Sequence, residues 1–282
     1  MAGIAQQDTG TGLSAANLQY LCAIVFEDSG IVLDASKRYL LDARLKPVAT
    51  EQTLESLDQL CQRLQADGRG PLRRRVIESM TTHETLFFRD LTPFEALKKA
   101  IVPELLEKRR VSRCLSIWSA ACSSGQEPYS LAMMLREIVP GVDRWQIDIL
   151  ATDLSEAILA RAREATYFQL EVNRGLPVQY LVKYFARKHL DWELKPEIRR
   201  MVRFETLNLK ADFRRLGPFD IVLCRNVLIY FDTDLKKRIL AGIRDVMAPD
   251  GYLLLGGAET VFNVDDQFER RTVGEASFYQ LK

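Results

Sequence analysis

The chain has 282 residues, 39 of them basic and 38 acidic, for a formal net charge of +1. With 47% apolar and 27% charged residues it has the composition of a globular protein with a sizeable core, long enough for one large domain or two. Near-neutrality excludes nucleic-acid binding by bulk charge and leaves open only a local basic face.

Nothing in Met1–Ser14 has the cationic start and apolar core of an export signal, and apolar runs such as Val227–Phe231 are far too short to cross a bilayer. Five cysteines (Cys22, Cys61, Cys114, Cys122 and Cys224) are odd in number and form no CxxC pair, so neither a disulfide framework nor a zinc site is expected. These features predict a reduced, cytoplasmic protein without membrane insertion.

Residues 14–82 read as helices without a convincing strand. Leu18, Leu21, Cys22 and Val25 recur at helical spacing, as do Leu54, Leu57, Leu60 and Leu64. Gly68–Pro71 interrupts the pattern, and Pro71 suits the first turn of a helix running through Arg75 to Met80. The connecting stretch Thr81–Arg89 carries Phe87 and Phe88, expected to dock two domains together. Thr92-Pro93-Phe94-Glu95 predicts a helix start, with Thr92 as cap, Pro93 in first position and Glu95 closing a capping box.

After Arg113 strands alternate with helices. The expected order is strand Leu115–Trp118, helix Pro128–Ile138, strand Ile147–Ala151, a helix from about Ser155, and strand Phe219–Cys224. A helix over Leu235–Met247, a strand at Tyr252–Leu255 and a last one at Ser277–Leu281 follow. Such alternation is the signature of a doubly wound α/β sheet. The expected organisation is an all-α domain over residues 1–80, a connection over 81–91, and an α/β domain over 92–282. An insert of mixed charge with β-prone pieces such as Met201–Phe204 falls at about 178–204.

Only two histidines, His83 and His189, are present, with no HExxH, no GxSxG and no GxxxxGK[ST]. Zinc hydrolases, nucleophile-elbow hydrolases and P-loop NTPases are therefore excluded. Open α/β sheets bind ligands at the carboxyl ends of their strands, and reading those ends gives a short list. The first is followed by Ser119-Ala120-Ala121-Cys122-Ser123-Ser124-Gly125-Gln126-Glu127-Pro128, a small-residue turn with one glycine instead of a pyrophosphate fingerprint. A ligand without phosphates suits it better.

Glu127 either serves the helix macrodipole or meets a cationic ligand. Asp153, ending the second strand, either hydrogen-bonds ribose hydroxyls or caps the next helix. Arg225, after the third strand, could grip a carboxylate with two nitrogens, and Tyr230 reads as a core aromatic or a site hydroxyl. Cys224 is improbable as a nucleophile because buried strand cysteines are inert. Arg89 and Thr85 could face a ligand. Lys37, Arg38, Arg44 and Lys46, with Arg73-Arg74-Arg75, are either a solvated face or a dock for an acidic partner.

The set Thr85-Leu86-Phe87-Phe88-Arg89, Trp118-Ser119-Ala120-Ala121, Gly125-Gln126-Glu127-Pro128-Tyr129-Ser130, Ala151-Thr152-Asp153, Asn208-Leu209 and Cys224–Phe231 resembles the bacterial chemotaxis receptor methyltransferases, the CheR family. The likeness runs from about Ser14 onward. It implies a Rossmann-like S-adenosylmethionine-dependent methyltransferase domain with a small β-subdomain insert, behind an all-α N-terminal domain. By it the chain methylates glutamate side chains of chemoreceptor cytoplasmic signalling domains, leaving S-adenosylhomocysteine, and works as a monomer. His83, Thr85, Arg89, Glu127, Asp153, Asn208, Leu209, Cys224 and Arg225 match cofactor-contacting positions, and Arg89 and Tyr230 match positions implicated in catalysis.

The chain departs from the pattern at His83, where asparagine is frequent. It departs again at Ala186-Arg187-Lys188-His189-Leu190, where members that clamp a receptor tail have a glycine-containing loop, so docking directly on the methylation region is expected. The rivals are a nicotinamide oxidoreductase, which lacks its glycine fingerprint, an inactive receptor-binding adaptor, and a nucleic-acid methyltransferase, disfavoured by the neutral charge.

Overall fold

The computed structural model describes residues 13–282. The chain divides after Thr82 into two compact units. The first holds helices Ala15–Ser29, Arg38–Glu51, Leu57–Asp67 and Pro71–Met80. Ser14 and Ser56 cap two of them by accepting from the N–H groups of Asn17 (3.3 Å) and Gln59 (3.2 Å). Pro71 opens the last. The leucines read at helical spacing lie inward, with Leu21, Leu57, Leu60 and Leu64 fully buried.

Most of the cations expected to form a docking face are engaged within this unit. Buried Arg73 donates to Asp28 (2.6 Å) and Glu27 (2.7 Å), and Arg75 pairs with Glu51. Arg38 reaches the Leu13 carbonyl (2.7 Å). Arg44 closes the end of the last helix by donating to the carbonyls of Met80 (2.6 Å) and Thr81 (2.9 Å). Among the described residues, Lys37, Lys46 and Arg74 are what remains of that face.

In the second unit a helical run covers Leu91–Lys108, with a π-turn at Leu97–Ile101. The cap expected at Thr92 does not form. The helix begins two residues earlier, at Leu91 behind Asp90 at φ 56, and the Asp90 carboxylate accepts from Arg225 instead of a helix N–H.

Ten strands follow: β1 (Cys114–Ala120), β2 (Gln146–Asp153), β3 (Thr166–Phe168), β4 (Phe185–Lys188), β5 (Asp191–Leu194), β6 (Val202–Thr206), β7 (Phe219–Cys224), β8 (Met247–Leu255), β9 (Phe268–Val273) and β10 (Ala276–Leu281). Seven form one sheet in the order β6-β2-β1-β7-β8-β10-β9, and three form a small one, β3-β5-β4. The first five neighbours are parallel, whereas β10 runs antiparallel to both β8 and β9. Helices Gln126–Ile138, Glu156–Glu164 and Thr233–Val246 link the parallel strands. The chain steps outward from β1 to β2 and β6, then crosses back to β7, so the switch point lies over the carboxyl ends of β1 and β7.

Two expectations shift. The small sheet draws on Thr166–Leu194, whereas Val202–Thr206, whose first three residues were expected in the insert, completes the main sheet with Val202 opposite Ile149. The aromatic pair expected to join two domains belongs to the second unit's own core. Phe87 meets Tyr167 edge-on at 4.9 Å, and Phe88 stacks on Tyr180 at 5.0 Å. Strand β9 went unread because Glu269, Arg270, Arg271 and Thr272 are all exposed, as suits a charged edge strand. Among the described residues no helix is long and apolar enough to cross a membrane.

Candidate active site

Strand β1 delivers the small-residue turn to the switch point, and hydrogen bonds fix its course. Ala121, Ser123 and Gly125 all have positive φ (55, 53 and 91). Gly125 carries the largest, and a Cβ there would meet Ala162 at 3.1 Å, so glycine suits both the backbone and the space. The Cys122 N–H donates to the Thr152 carbonyl at 2.9 Å. Tyr167, from the small sheet, donates its hydroxyl to the Ser124 carbonyl at 2.9 Å. The insert therefore supports the turn.

Asp153 ends β2 with both carboxylate oxygens in use. Oδ2 accepts from the Ser123 N–H (2.9 Å) and Oδ1 from the Ser155 N–H (3.1 Å). The helix cap is Ser155 itself, accepting from Ile158, so Asp153 is not the capping residue. Burial pushes the Asp153 carboxyl above its usual range, opposed by those two N–H groups and by the charge of His83. The Ser123 hydroxyl donates to the His83 carbonyl at 2.9 Å, which brings the start of the unit to the same turn. Beyond β6 the Leu207 N–H donates to the Asp153 carbonyl (2.9 Å), bringing half-buried Asn208 and buried Leu209 to this edge. Asn208 Oδ1 accepts from the Lys210 N–H at 2.9 Å.

A second cluster surrounds Arg225, whose side chain is only 2% exposed. Its Nη1 donates to Glu127 Oε2 (2.9 Å), while Nη2 donates to the Arg89 carbonyl and to Asp90 Oδ2 (both 2.9 Å). Glu127 Oε1 accepts from the Ser119 hydroxyl at 2.8 Å. The expected two-nitrogen grip on a ligand carboxylate is not available, because protein groups occupy both terminal nitrogens. Buried Nε has no hydrogen-bond partner among the described residues. Arg225 is a clamp joining β7, the helix after β1 and the Arg89–Asp90 corner. Glu127 is the second residue of that helix, behind Gly125, and is held by Arg225 and the Ser119 hydroxyl.

Cys224 and Cys122 are buried, and burial raises both thiols well above their ordinary range, so neither is a nucleophile at neutral pH. Thr85 and Arg89 are half-buried. Arg89 Nη1 donates to the Glu84 carbonyl at 3.1 Å, and its other N–H groups have no partner among the described residues. Tyr230 ends a 3-10 turn, Leu228–Tyr230, half-buried, its hydroxyl without a partner among the described residues. It is not the core aromatic of the alternative reading.

Residue-by-residue reading missed Glu259. Its Oε2 accepts from the N–H groups of Asn226 and Gly256 (both 2.7 Å), and its Oε1 from those of Val227 (2.9 Å) and Ile229 (3.3 Å). No local pattern marks it. Its one sequence signal is an acid shortly after Gly256-Gly257 at the end of a strand. Beyond Arg225 a cavity of about 530 Å³ opens between Asp90, Pro93, Gly256, Thr260 and Tyr279.

The donor set fits a ligand with ribose hydroxyls and a cationic centre and no phosphate. Asp153 ends β2, Glu127 stands in the first turn of the helix after β1, and the turn from Ala121 to Gly125 has no cationic side chain. Among the described residues no cluster could hold a metal ion. A mixed sheet with a parallel core ordered this way, its switch point over the ends of β1 and β7, is of the ligand-binding doubly wound α/β class. Comparison with known proteins narrows the class. The chain belongs to the CheR methyltransferase family: the model described as "CheR methyltransferase, SAM binding domain" matches residues 83–276, and the "all-alpha domain" matches 16–81.

Chemotaxis protein methyltransferase 1 of Pseudomonas aeruginosa is 43% identical over 276 residues, covering 96% of this chain and all of that one. Chemotaxis protein methyltransferase Cher2 of Pseudomonas putida is 42% identical with the same coverage. Among solved structures, a TehB-like SAM-dependent methyltransferase from Corynebacterium glutamicum is 15% identical with a TM-score of 0.39, the match covering 84% of this chain and 100% of that one. The chain is an S-adenosylmethionine-dependent methyltransferase of chemotaxis. The inactive-adaptor reading finds no support.

Proposed function

We propose that the enzyme methylates glutamate side-chain carboxylates in the cytoplasmic domains of chemoreceptors, giving methyl esters. The observation that carries this reading is that Asp153, Glu127 and Glu259 are all committed as hydrogen-bond acceptors to protein donors. A cluster arranged this way favours an acceptor that arrives already ionised. A glutamate, with a reference pKa of ~4.3, does so at neutral pH and needs no base. When bound, S-adenosylmethionine supplies a methyl group on a sulfonium sulfur, so the carbon–sulfur bond breaks, its electron pair going to sulfur, as the acceptor oxygen bonds carbon.

The chain's own part is placement and exclusion of water. His83, Thr85, Asp153, Asn208 and Leu209 would hold the nucleoside, with Glu127, Arg225 and Cys224 forming the wall beside it. Arg89 has N–H groups to spare for the acceptor carboxylate, and the Tyr230 hydroxyl is free to donate near the transferring methyl. Arg89 must place the carboxylate without gripping it, since stabilising the ground-state charge would slow transfer. The cavity beyond Arg225 offers the acceptor segment its approach.

Methyl transfer to purified receptor cytoplasmic domains tests the reading. Labelled methyl groups should be released as methanol by mild base, the behaviour of esters, and should vanish when the acceptor glutamates are changed to alanine. Base-stable label, or none, would overturn it. A hydrogen bond worth ~2 kcal/mol in the transition state corresponds to about 30-fold in kcat for Tyr230→Phe. Near-normal turnover in both Arg89→Ala and Tyr230→Phe would sink those two assignments. Calorimetric titration of wild type and Asp153→Ala with S-adenosylhomocysteine tests the nucleoside site separately.

A further inference from the structure

Resting on the assignment of Tyr230 to the transfer site, we infer that Glu259 is the positioning residue for that tyrosine, acting through the backbone of residues 226–230 without touching either reactant. Between the end of β7 and Tyr230 the chain makes an abrupt turn. Asn226 takes a left-handed conformation at φ 58, and Val227 is irregular at φ −125, ψ −36. Neither belongs to a strand or helix ladder, so their N–H groups need acceptors from elsewhere.

One carboxylate supplies them. The four amides it accepts come from both sides of the gap: Asn226, Val227 and Ile229 from the turn after β7, and Gly256 from the end of neighbouring β8. A carboxylate is acceptor-only and has about four lone-pair sites, so the count matches its capacity. Charge-assisted bonds of this kind are the stronger ones, and they tie the tyrosine turn to the rigid parallel sheet.

The fit extends to Gly256. A Cβ there would lie 2.6 Å from Glu259 Oε2 and 2.8 Å from the Asn226 nitrogen, so the carboxylate can reach those amides only across a glycine. The cofactor-side groups Ser123, Asp153 and Glu127 are held by other partners. Loss of Glu259 should therefore move Tyr230 and leave the nucleoside site in place.

Glu259→Gln tests this, since its NH₂ group cannot accept and faces N–H groups on at least one side. We expect kcat for methyl transfer to fall as far as in Tyr230→Phe, about 30-fold, with the S-adenosylhomocysteine dissociation constant within about threefold of wild type. In a Tyr230→Phe background the same change should add almost nothing, because the hydroxyl it positions is already absent. Additive losses in the double variant, or a parallel loss of S-adenosylhomocysteine affinity, would make Glu259 a general structural support and overturn the inference.

If Tyr230→Phe is crippled while Glu259→Gln keeps full kcat, the inference fails and the assignment of Tyr230 stands. If Tyr230→Phe is itself normal, both fall. Should Glu259→Gln not fold, Glu259→Asp keeps the charge and withdraws it by one methylene. The same split between kcat and affinity is expected there, and a full kcat would overturn the inference.

Discussion

Replacing Arg225 by methionine should destabilise the second unit far more than losing an arginine on a surface. The guanidinium is 2% exposed and its partner Glu127 12%, so removing it leaves a carboxylate in the interior with the Ser119 hydroxyl alone. Breaking a buried pair on one side costs about 3–5 kcal/mol. The other partner, Asp90, is 54% exposed and returns to water, adding little. A net loss of about 3 kcal/mol, set against an unfolding entropy of ~2.1 cal/mol/K per residue over about 200 residues, lowers the melting temperature by ~7 °C.

Differential scanning calorimetry reads this directly. The relevant transition is the one that S-adenosylhomocysteine raises, since a ligand stabilises only the unit that binds it. Adding Glu127→Gln to Arg225→Met removes the stranded charge and should recover at least half of the loss. A single variant melting within about 2 °C of wild type, or a double variant melting no higher than the single, would refute the buried-clamp reasoning.

Burial is the main cause raising the Asp153 carboxyl, so S-adenosylhomocysteine affinity should weaken on acidification before an ordinary aspartate at ~3.9 would protonate, as calorimetry across pH will show. Asp250, held below the usual range chiefly by hydrogen bonding from Arg109, contributes stability that is present above its unfolded pKa and lost as pH falls through the lowered folded value. Its side chain is a third exposed, so Asp250→Asn should cost about 1 kcal/mol at pH 7, with the gap to wild type closing in acid. Leu64→Ala empties a fully buried position in the helical unit and should cost about 3 kcal/mol, read as a lowered denaturation midpoint.

Local pattern carried the sequence a long way in some places. Alternation of apolar strands with capped helices is a local property, and Phe219–Cys224 and Pro71–Met80 fall where their residues indicate because burial and capping agree there. Asp153 was expected at the end of its strand and ends it, its carboxylate accepting from the Ser123 and Ser155 N–H groups. Where a charged residue could bond to more than one neighbour, the sequence left the outcome open. Thr92 looked like a cap, but the helix starts behind Asp90, which is engaged by Arg225 from just beyond β7, 135 residues away. Met201–Phe204 looked like insert until the pairing of β6 with β2 made most of it part of the main sheet.

By itself, the sequence determined the inner strands of the main sheet with the helices that link them, the absence of the phosphate-binding and hydrolase motifs, and the strand ends at which chemistry could sit. Only the tertiary structure decided the partners: Arg225 as a clamp on Glu127 instead of a free ligand arginine, Tyr167 under the turn after β1, and Glu259 binding amides about 30 residues before it. The physical reason is range. Helical periodicity, caps and strand alternation act over a few residues. The acceptor that satisfies a buried N–H, or the carboxylate that neutralises a buried guanidinium, is chosen by proximity in space and leaves no period in the chain.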